Sequence, residues 1–214
     1  MPFPVIHKGY PLILASASPR RKRLLAQTQI PFRVVPGNVD EDEMGGRPTE
    51  ISRLLAEKKA KRVYSMTGRS WVLGADTIVV IGSRVLGKPR DQAEATEMLR
   101  LLSGEAHRVV TGFCVLDPAG RPAHSEAVST AVRFKRLADK EMASYVSTGE
   151  PFGKAGAYAI QGIGAFMVES ISGSYTNVVG LPVCAVIKAL IRVRALVYFP
   201  LPPPDPDSRK TSLK

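Results

Sequence analysis

Trp71-Val72-Leu73-Gly74-Ala75-Asp76-Thr77-Ile78-Val79-Val80-Ile81 is the stretch that decides the fold. It is too apolar and too rich in β-branched residues for a surface helix, so it reads as a central strand. One feature departs from a plain core strand: Asp76 sits inside the apolar run, beside the small residues Gly74 and Ala75 and next to Thr77. Burying a carboxylate there costs several kcal/mol unless it is paired or binds a metal. Two readings follow, a functional carboxylate with room for a ligand beside it, or a strand-end Asp satisfied by backbone N–H groups.

Outward from this strand, apolar runs alternate with helical patterns. Leu12-Ile13-Leu14-Ala15 suits a buried strand and is followed by a basic helix over 19–27. Phe32-Arg33-Val34-Val35 reads as a second strand. Over 49–64, Ile51, Leu54, Leu55, Lys58 and Val63 give a helical stripe with a basic outer face. Asp91 and Glu94 match a capping box opening a helix to about Leu102. Strands are expected over 109–116 and 128–134, joined through Asp117-Pro118-Ala119-Gly120. Asp139 is expected to cap a helix to about Ser147, 165–171 to form a strand, and 181–196 a terminal helix. This mixed order argues for a mixed α/β sheet. The ends read as appendages: 1–9 carries little pattern, and 199–214 is Pro-rich and expected to be a disordered tail, leaving one domain over 10–198.

Composition excludes several classes. The 214 residues are 44% hydrophobic and 23% charged, with neither a collagen period nor a disulfide framework. Cys114 and Cys184 stand seventy positions apart without metal-ligand spacing, and read as small buried hydrophobes in a reducing compartment. Prolines interrupt the N-terminus where a signal peptide needs an apolar run, and Lys188, Arg192 and Arg194 break the longest apolar stretch. A cytoplasmic protein with no membrane partner is expected. The net charge of +11 suggests a polyanion, either a nucleic acid or a nucleotide polyphosphate.

Local arrangement offers several candidates. In Ser16-Ala17-Ser18-Pro19-Arg20-Arg21 a strand ends, Ser18 supplies an N-cap and Pro19 occupies the first helical position. Phosphate binds well at such a place, although a capped surface helix with solvated arginines looks the same. Gly82-Ser83-Arg84-Val85-Leu86-Gly87-Lys88-Pro89 has the GxxxxGK spacing of a P-loop. Pro89, however, stands where a hydroxyl must reach Mg²⁺, so the segment reads as a hairpin turn with Lys88 at its exit. Asp40-Glu41-Asp42-Glu43 is either a solvated loop or a source of a carboxylate that shares a divalent cation with Asp76. Lys58-Lys59 on its own reads as an exposed basic face. The glycine- and alanine-rich segment 154–165 lets backbone approach a ligand closely, or is a flexible turn. Ser172 to Asn177 is a polar turn. His7, His107 and His124 share no motif, and no Ser/His/Asp order or Cys nucleophile stands out.

Six blocks in register carry a resemblance: LASASPRRKRLL (14–25), LGADTIVV (73–80), GKPRD (87–91), LSGEAHRVVTG (102–112), KAGAYAIQGIGA (154–165) and GSYTNVVGLP (173–182). Together they resemble the Maf family, the septum-formation-inhibitor-like nucleoside triphosphate pyrophosphatases, over about 12–196. The resemblance implies hydrolysis of a noncanonical or pyrimidine nucleoside triphosphate to monophosphate and pyrophosphate, with a divalent cation, Mg²⁺ or Mn²⁺. It implies Arg20 and Arg21 as phosphate-binding arginines, Ser16 beside them, and Lys59 as the family's helix lysine. Glu41 then corresponds to the acidic metal-side residue, Asp76 to the general base and metal neighbour, and Lys88 and Lys154 to the remaining cations around the triphosphate. Arg20, Thr77 and Gln161 match the dTTP/UTP subgroup of such house-cleaning enzymes. The alternatives are a 7-methyl-GTP or broader modified-nucleotide pyrophosphatase and, from another class, a nucleic-acid-binding regulator of septum formation. The fold implied is an elongated, twisted mixed sheet with flanking helices and two lobes around a nucleotide cleft. A homodimer is the expected assembly, with no nucleic-acid partner.

Overall fold

The computed structural model describes residues 3–39 and 46–201. Strand β1 (Leu12–Ala15) leads into helix α1 (Pro19–Gln27), then β2 (Phe32–Val34) and the long helix α2 (Pro48–Thr67). The stretch quoted first becomes β3 (Val72–Ile81), which turns at Gly82-Ser83 into the short β4 (Arg84–Leu86). Helix α3 (Gln92–Leu102) is followed by the long hairpin β5 (Ala106–Leu116) and β6 (Pro122–Phe134). Helix α4 (Asp139–Ser147), β7 (Val168–Ser172), α5 (Tyr175–Val179) and α6 (Val183–Arg192) complete the order.

The sheet is mixed and seven-stranded, in the order β2-β1-β3-β5-β6-β7, with β4 also on β3. The β1 pairings with β2 and β3 are parallel, and all the others are antiparallel. One detail of register makes the site. Along one edge of β3, β1 pairs with Val72 to Gly74 and β4 pairs with Val79 to Ile81. Among the described residues, no strand covers 75–78 on that edge. The opposite edge is continuously paired to β5 from Val72 to Val80. The sheet therefore carries a notch four residues long, with Asp76 and Thr77 at its centre.

Side chains alternate across the sheet. On one face Leu73 and Ala75 join an apolar cluster with α1 and α6, while Val79 joins a second with α3 and α4. Between the two clusters lies Thr77. Helix α2 covers the other face, and it lies unusually close. A Cβ at Gly74 would stand 2.1 Å from the Ala56 carbonyl, and one at Gly112 would stand 2.3 Å from Ser52 backbone. The buried side of α2 is accordingly small: Ser52, Leu55, Ala56, Lys59, Ala60 and Val63.

Several expectations need correction. The predicted α2 stripe is rotated, because Leu54 and Lys58 are exposed while Ser52, Ala56 and Lys59 turn inward. Close approach to two sheet glycines selects small residues over bulky ones. The cap of α4 is Ala138, whose N–H donates to Glu141 Oε2 at 2.9 Å, and Asp139 is the first helical residue. The strand expected from 165 begins at Val168, because 163–167 form a tight turn whose first N–H groups are taken by a side chain. Cys184 is exposed, unlike the buried Cys114. The N-terminal segment is no appendage from Phe3 onward. Trp71 donates its indole N–H to the Pro4 carbonyl at 2.8 Å, Ile6 N–H reaches Ala195 O at 2.8 Å, and Ile6 is buried. A buried indole needs such an acceptor. The tail expectation falls, from 202 on, outside the described residues.

Candidate active site

A cleft of about 1140 Å³ opens at the notch in β3. Its wall includes Ser16, Arg20, Arg21, Lys59, Asp76, Thr77, Lys88, Lys154 and Gln161, nine of the ten residues singled out in the sequence. The tenth, Glu41, lies outside the described residues. The chain brings these groups together from five separate segments, and each has a local reason to be there.

Strand β1 ends at Ala15, where the chain turns. Ser18 caps α1 by accepting Arg21 N–H, and Ser16 Oγ accepts the N–H of Ser18 at 3.2 Å. The turn aims the Arg21 guanidinium across the sheet. Its Nε donates to Gly180 O at 2.8 Å, Nη1 to Ser16 Oγ at 3.3 Å and Nη2 to Thr77 Oγ1 at 3.0 Å. A planar fork fixed at three points has little freedom left.

Behind Thr77 a buried polar chain crosses the sheet. Thr77 Oγ1 meets Thr111 Oγ1 at 2.9 Å, and Thr111 donates to Asn177 O at 3.1 Å. Asn177 Nδ2 donates to Val109 O and Thr130 Oγ1, both at 3.0 Å. This chain anchors the 173–180 segment to the sheet and so sets the Gly180 carbonyl against Arg21. Thr111 and Asn177 stand in two of the blocks that carry the family resemblance but have no site role in the sequence expectations; two threonines paired across strands are not a motif.

Asp76 faces the other side. Its Oδ1 accepts from Lys59 Nζ, with both side chains about nine-tenths buried. Such a pair in low dielectric is costly to assemble and costlier to break. Lys59, which as a lone sequence feature reads as surface charge, is the inward lysine of α2.

Lys88 and Lys154 sit on two stitched loops, with Arg20 reaching Lys154 from the start of α1. Gly156 N–H donates to Gly87 O at 3.0 Å, tying the Lys154 loop to the Lys88 turn. Arg20 is held below its ordinary range by burial, with Glu150 and Tyr145 opposing the shift. Lys154 is lowered by burial and then by Arg20, with Glu150 opposing. These two cations are thus crowded together at a partly dry wall, where an anion would relieve both.

The sequence comparison decides the kinship. The Maf-like protein family model matches residues 11–193, nearly the whole described chain. The chain belongs to the Maf-like family. Curated relatives of this Maf-like chain include the dTTP/UTP pyrophosphatase of Syntrophotalea carbinolica, 50% identical over 192 residues that cover 88% of this chain and 87% of the relative. The protein of the same name from Citrifermentans bemidjiense is 50% identical over 190 residues, covering 88% and 98% of the two chains. That of Geotalea uraniireducens is 51% identical over 186 residues, covering 86% and 96%.

A divalent cation, implied by the family, can be tested against this Maf-like site. Among the described residues no three His, Cys, Asp or Glu side chains gather as a metal cage. Among the described residues, Asp76 is the carboxylate on the cleft wall. Mg²⁺ characteristically takes one or two carboxylates plus substrate phosphates, so a hard oxygen donor beside a phosphate cleft fits it. No helix among the described residues is long and apolar enough to cross a membrane.

Proposed function

We propose that this chain hydrolyses dTTP and UTP to the nucleoside monophosphate and pyrophosphate. The observation that carries the reading is the convergence of Asp76 with Lys59, Arg20, Arg21, Lys88 and Lys154 on one cleft at the sheet notch. The names of relatives about 50% identical over most of the chain point the same way.

The chemistry follows from the groups present. The Asp76 carboxylate accepts a proton from a water, whose oxygen attacks the α-phosphorus. The bond from that phosphorus to the bridging oxygen breaks, and pyrophosphate leaves. Lys59 orients Asp76 and supplies positive charge beside it. Arg21, locked by Gly180, Ser16 and Thr77, offers a preorganised fork, while Arg20, Lys88 and Lys154 offset charge on the leaving group. A divalent cation held by Asp76, with Glu41 as its second acid, would add further charge neutralisation and make the bound water more acidic. Gln161 on the cleft wall is the proposed reader of the base, with Thr77 acting through its hold on Arg21, and polar groups left unpaired by a wrong base supply the selectivity.

Pyrophosphate release from dTTP, UTP, CTP, 7-methyl-GTP and ITP, with Mg²⁺ or Mn²⁺, tests the reading. Turnover of dTTP and UTP above the others is expected. Turnover of 7-methyl-GTP without dTTP or UTP overturns it.

A further inference from the structure

The reaction just described makes no use of Glu150, which stands in the turn after α4. Its Oε2 accepts Ile163 N–H at 2.9 Å, and its Oε1 accepts Gly164 N–H at 3.0 Å and the Tyr145 hydroxyl at 3.1 Å. The Tyr145 hydroxyl in turn accepts Ala159 N–H at 3.3 Å. The Glu150 carbonyl takes the ammonium of Lys154. One residue, with Tyr145 behind it, therefore holds the loop on both sides of Gln161, at 159 and at 163. The loop glycines serve this grip. Gly162 has φ +104°, and its Cβ would lie 2.7 Å from Glu150 Oε2, while a Cβ at Gly164 would lie 2.7 Å from the Tyr145 hydroxyl. The close backbone approach that the sequence suggests for a ligand is, at these two positions, an approach to Glu150 and Tyr145.

We infer that Glu150 is a positioning residue which, through Tyr145 and the 159–164 backbone, presents Gln161 and Lys154 to the nucleotide and so sets base discrimination. The inference rests on the nucleotide reading of the cleft. A carboxylate suits the task because all three groups converging on it are donors, and ionised Glu is acceptor-only. An amide of the same shape must turn an NH₂ toward at least one of those donors. Exposed glue would not need such a match, nor bracket one cleft-facing side chain so closely.

The test compares wild type, Glu150→Gln, Glu150→Asp and Tyr145→Phe. By hydrogen exchange, amides of 159–164 are expected to exchange about tenfold faster in Glu150→Gln, less so in Tyr145→Phe, with β3 and β5 unchanged. KM for UTP is expected to rise about tenfold with kcat within about threefold, and the UTP-over-CTP preference to fall about tenfold, partly restored in Glu150→Asp. Unchanged loop exchange, or faster exchange spread through the sheet, overturns the clamp. A loosened loop with undiminished base preference overturns its role in discrimination. Wild type inactive on both dTTP and UTP sinks the nucleotide reading instead, while the exchange measurement still judges the clamp.

Discussion

Asp76 and Thr77 are consecutive in β3 and point to opposite faces of the sheet, Asp76 to Lys59 of α2 and Thr77 to Arg21 of α1. In a continuous sheet the two groups would be separated by neighbouring strands. Here 75–78 lie at the notch between β1 and β4, and both residues line the cleft that opens there, so one ligand straddling the open edge would meet both. The general-base side and the phosphate-fork side of the proposed reaction meet at this notch.

Asp76→Asn is therefore expected to keep its place against Lys59, since the amide oxygen still accepts, yet to lose the base. Turnover of dTTP should fall about 10²- to 10⁴-fold with a folded protein by circular dichroism. Lys59→Met is a different experiment, because it leaves a buried carboxylate. It should cost about 3–5 kcal/mol of stability in addition to activity, seen as a Tm lower by about 10 °C. Asp76→Asn also takes a charge away from beside the buried Lys59 ammonium and should lower Tm as well, so a wild-type Tm in Lys59→Met is the result that would contradict the burial argument.

The Arg21 fork predicts a second asymmetry. Thr77→Val removes the acceptor of Nη2, and hydrogen bonds to charged groups contribute about 1.5–3 kcal/mol. A drop of about 10- to 100-fold in kcat/KM is expected, with Thr77→Ser near wild type because Oγ is kept. Arg21→Lys should not recover activity, as a single ammonium cannot meet Gly180, Ser16 and Thr77 together. Steady-state kinetics of the three variants decide this.

What was legible in the sequence was whatever is local. The strand–cap–helix passage from Leu12 to Gln27, the Asp91 cap and the β5–β6 hairpin each rest on neighbours a few residues away. Eight of the nine cleft residues stand in the blocks that carry the family resemblance, whereas Lys59 stands outside them and is assigned only by that resemblance, and spacing says nothing of the notch that joins them. What failed was long-range. The face of α2 could not be read from its own periodicity, since Gly74 and Gly112 on two strands decide which side of the helix fits. Glu150 escaped because its meaning comes from Ile163, Gly164 and Tyr145, and a Glu between Gly149 and Pro151 looks like any turn.

Gly74 lies where α2 comes closest to the sheet, so a substitution there tests that approach. Alanine there places Cβ 2.1 Å from Ala56 O and 2.9 Å from Ala60 Cβ, so α2 must lift. Overpacking of this kind costs about 1–3 kcal/mol or more, a Tm fall of about 5–10 °C. Because Lys59 rides on α2, turnover should fall as well. Leu54→Ala on the exposed side of the same helix should change Tm by about 1 °C or less, consistent with a surface substitution.

His107 supplies the pH dependence. Its ring is buried edge-on between Phe134 and Tyr158, Nε2 meets the Tyr158 hydroxyl at 2.8 Å, and Nδ1 has no partner. Burial pushes the imidazole down to about 4 from the ordinary 6.5. Between those values the unfolded chain binds the proton and the folded one does not, so stability falls as pH drops through this window. The full gap corresponds to about 3 kcal/mol, lost progressively below about pH 6.5 and complete near pH 4. Thermal unfolding across that range should show the decline in wild type. His107→Gln keeps a partner for the Tyr158 hydroxyl but cannot titrate, so its Tm should be lower at pH 7 and depend less steeply on pH. An equally steep profile in that variant would assign the decline to other groups.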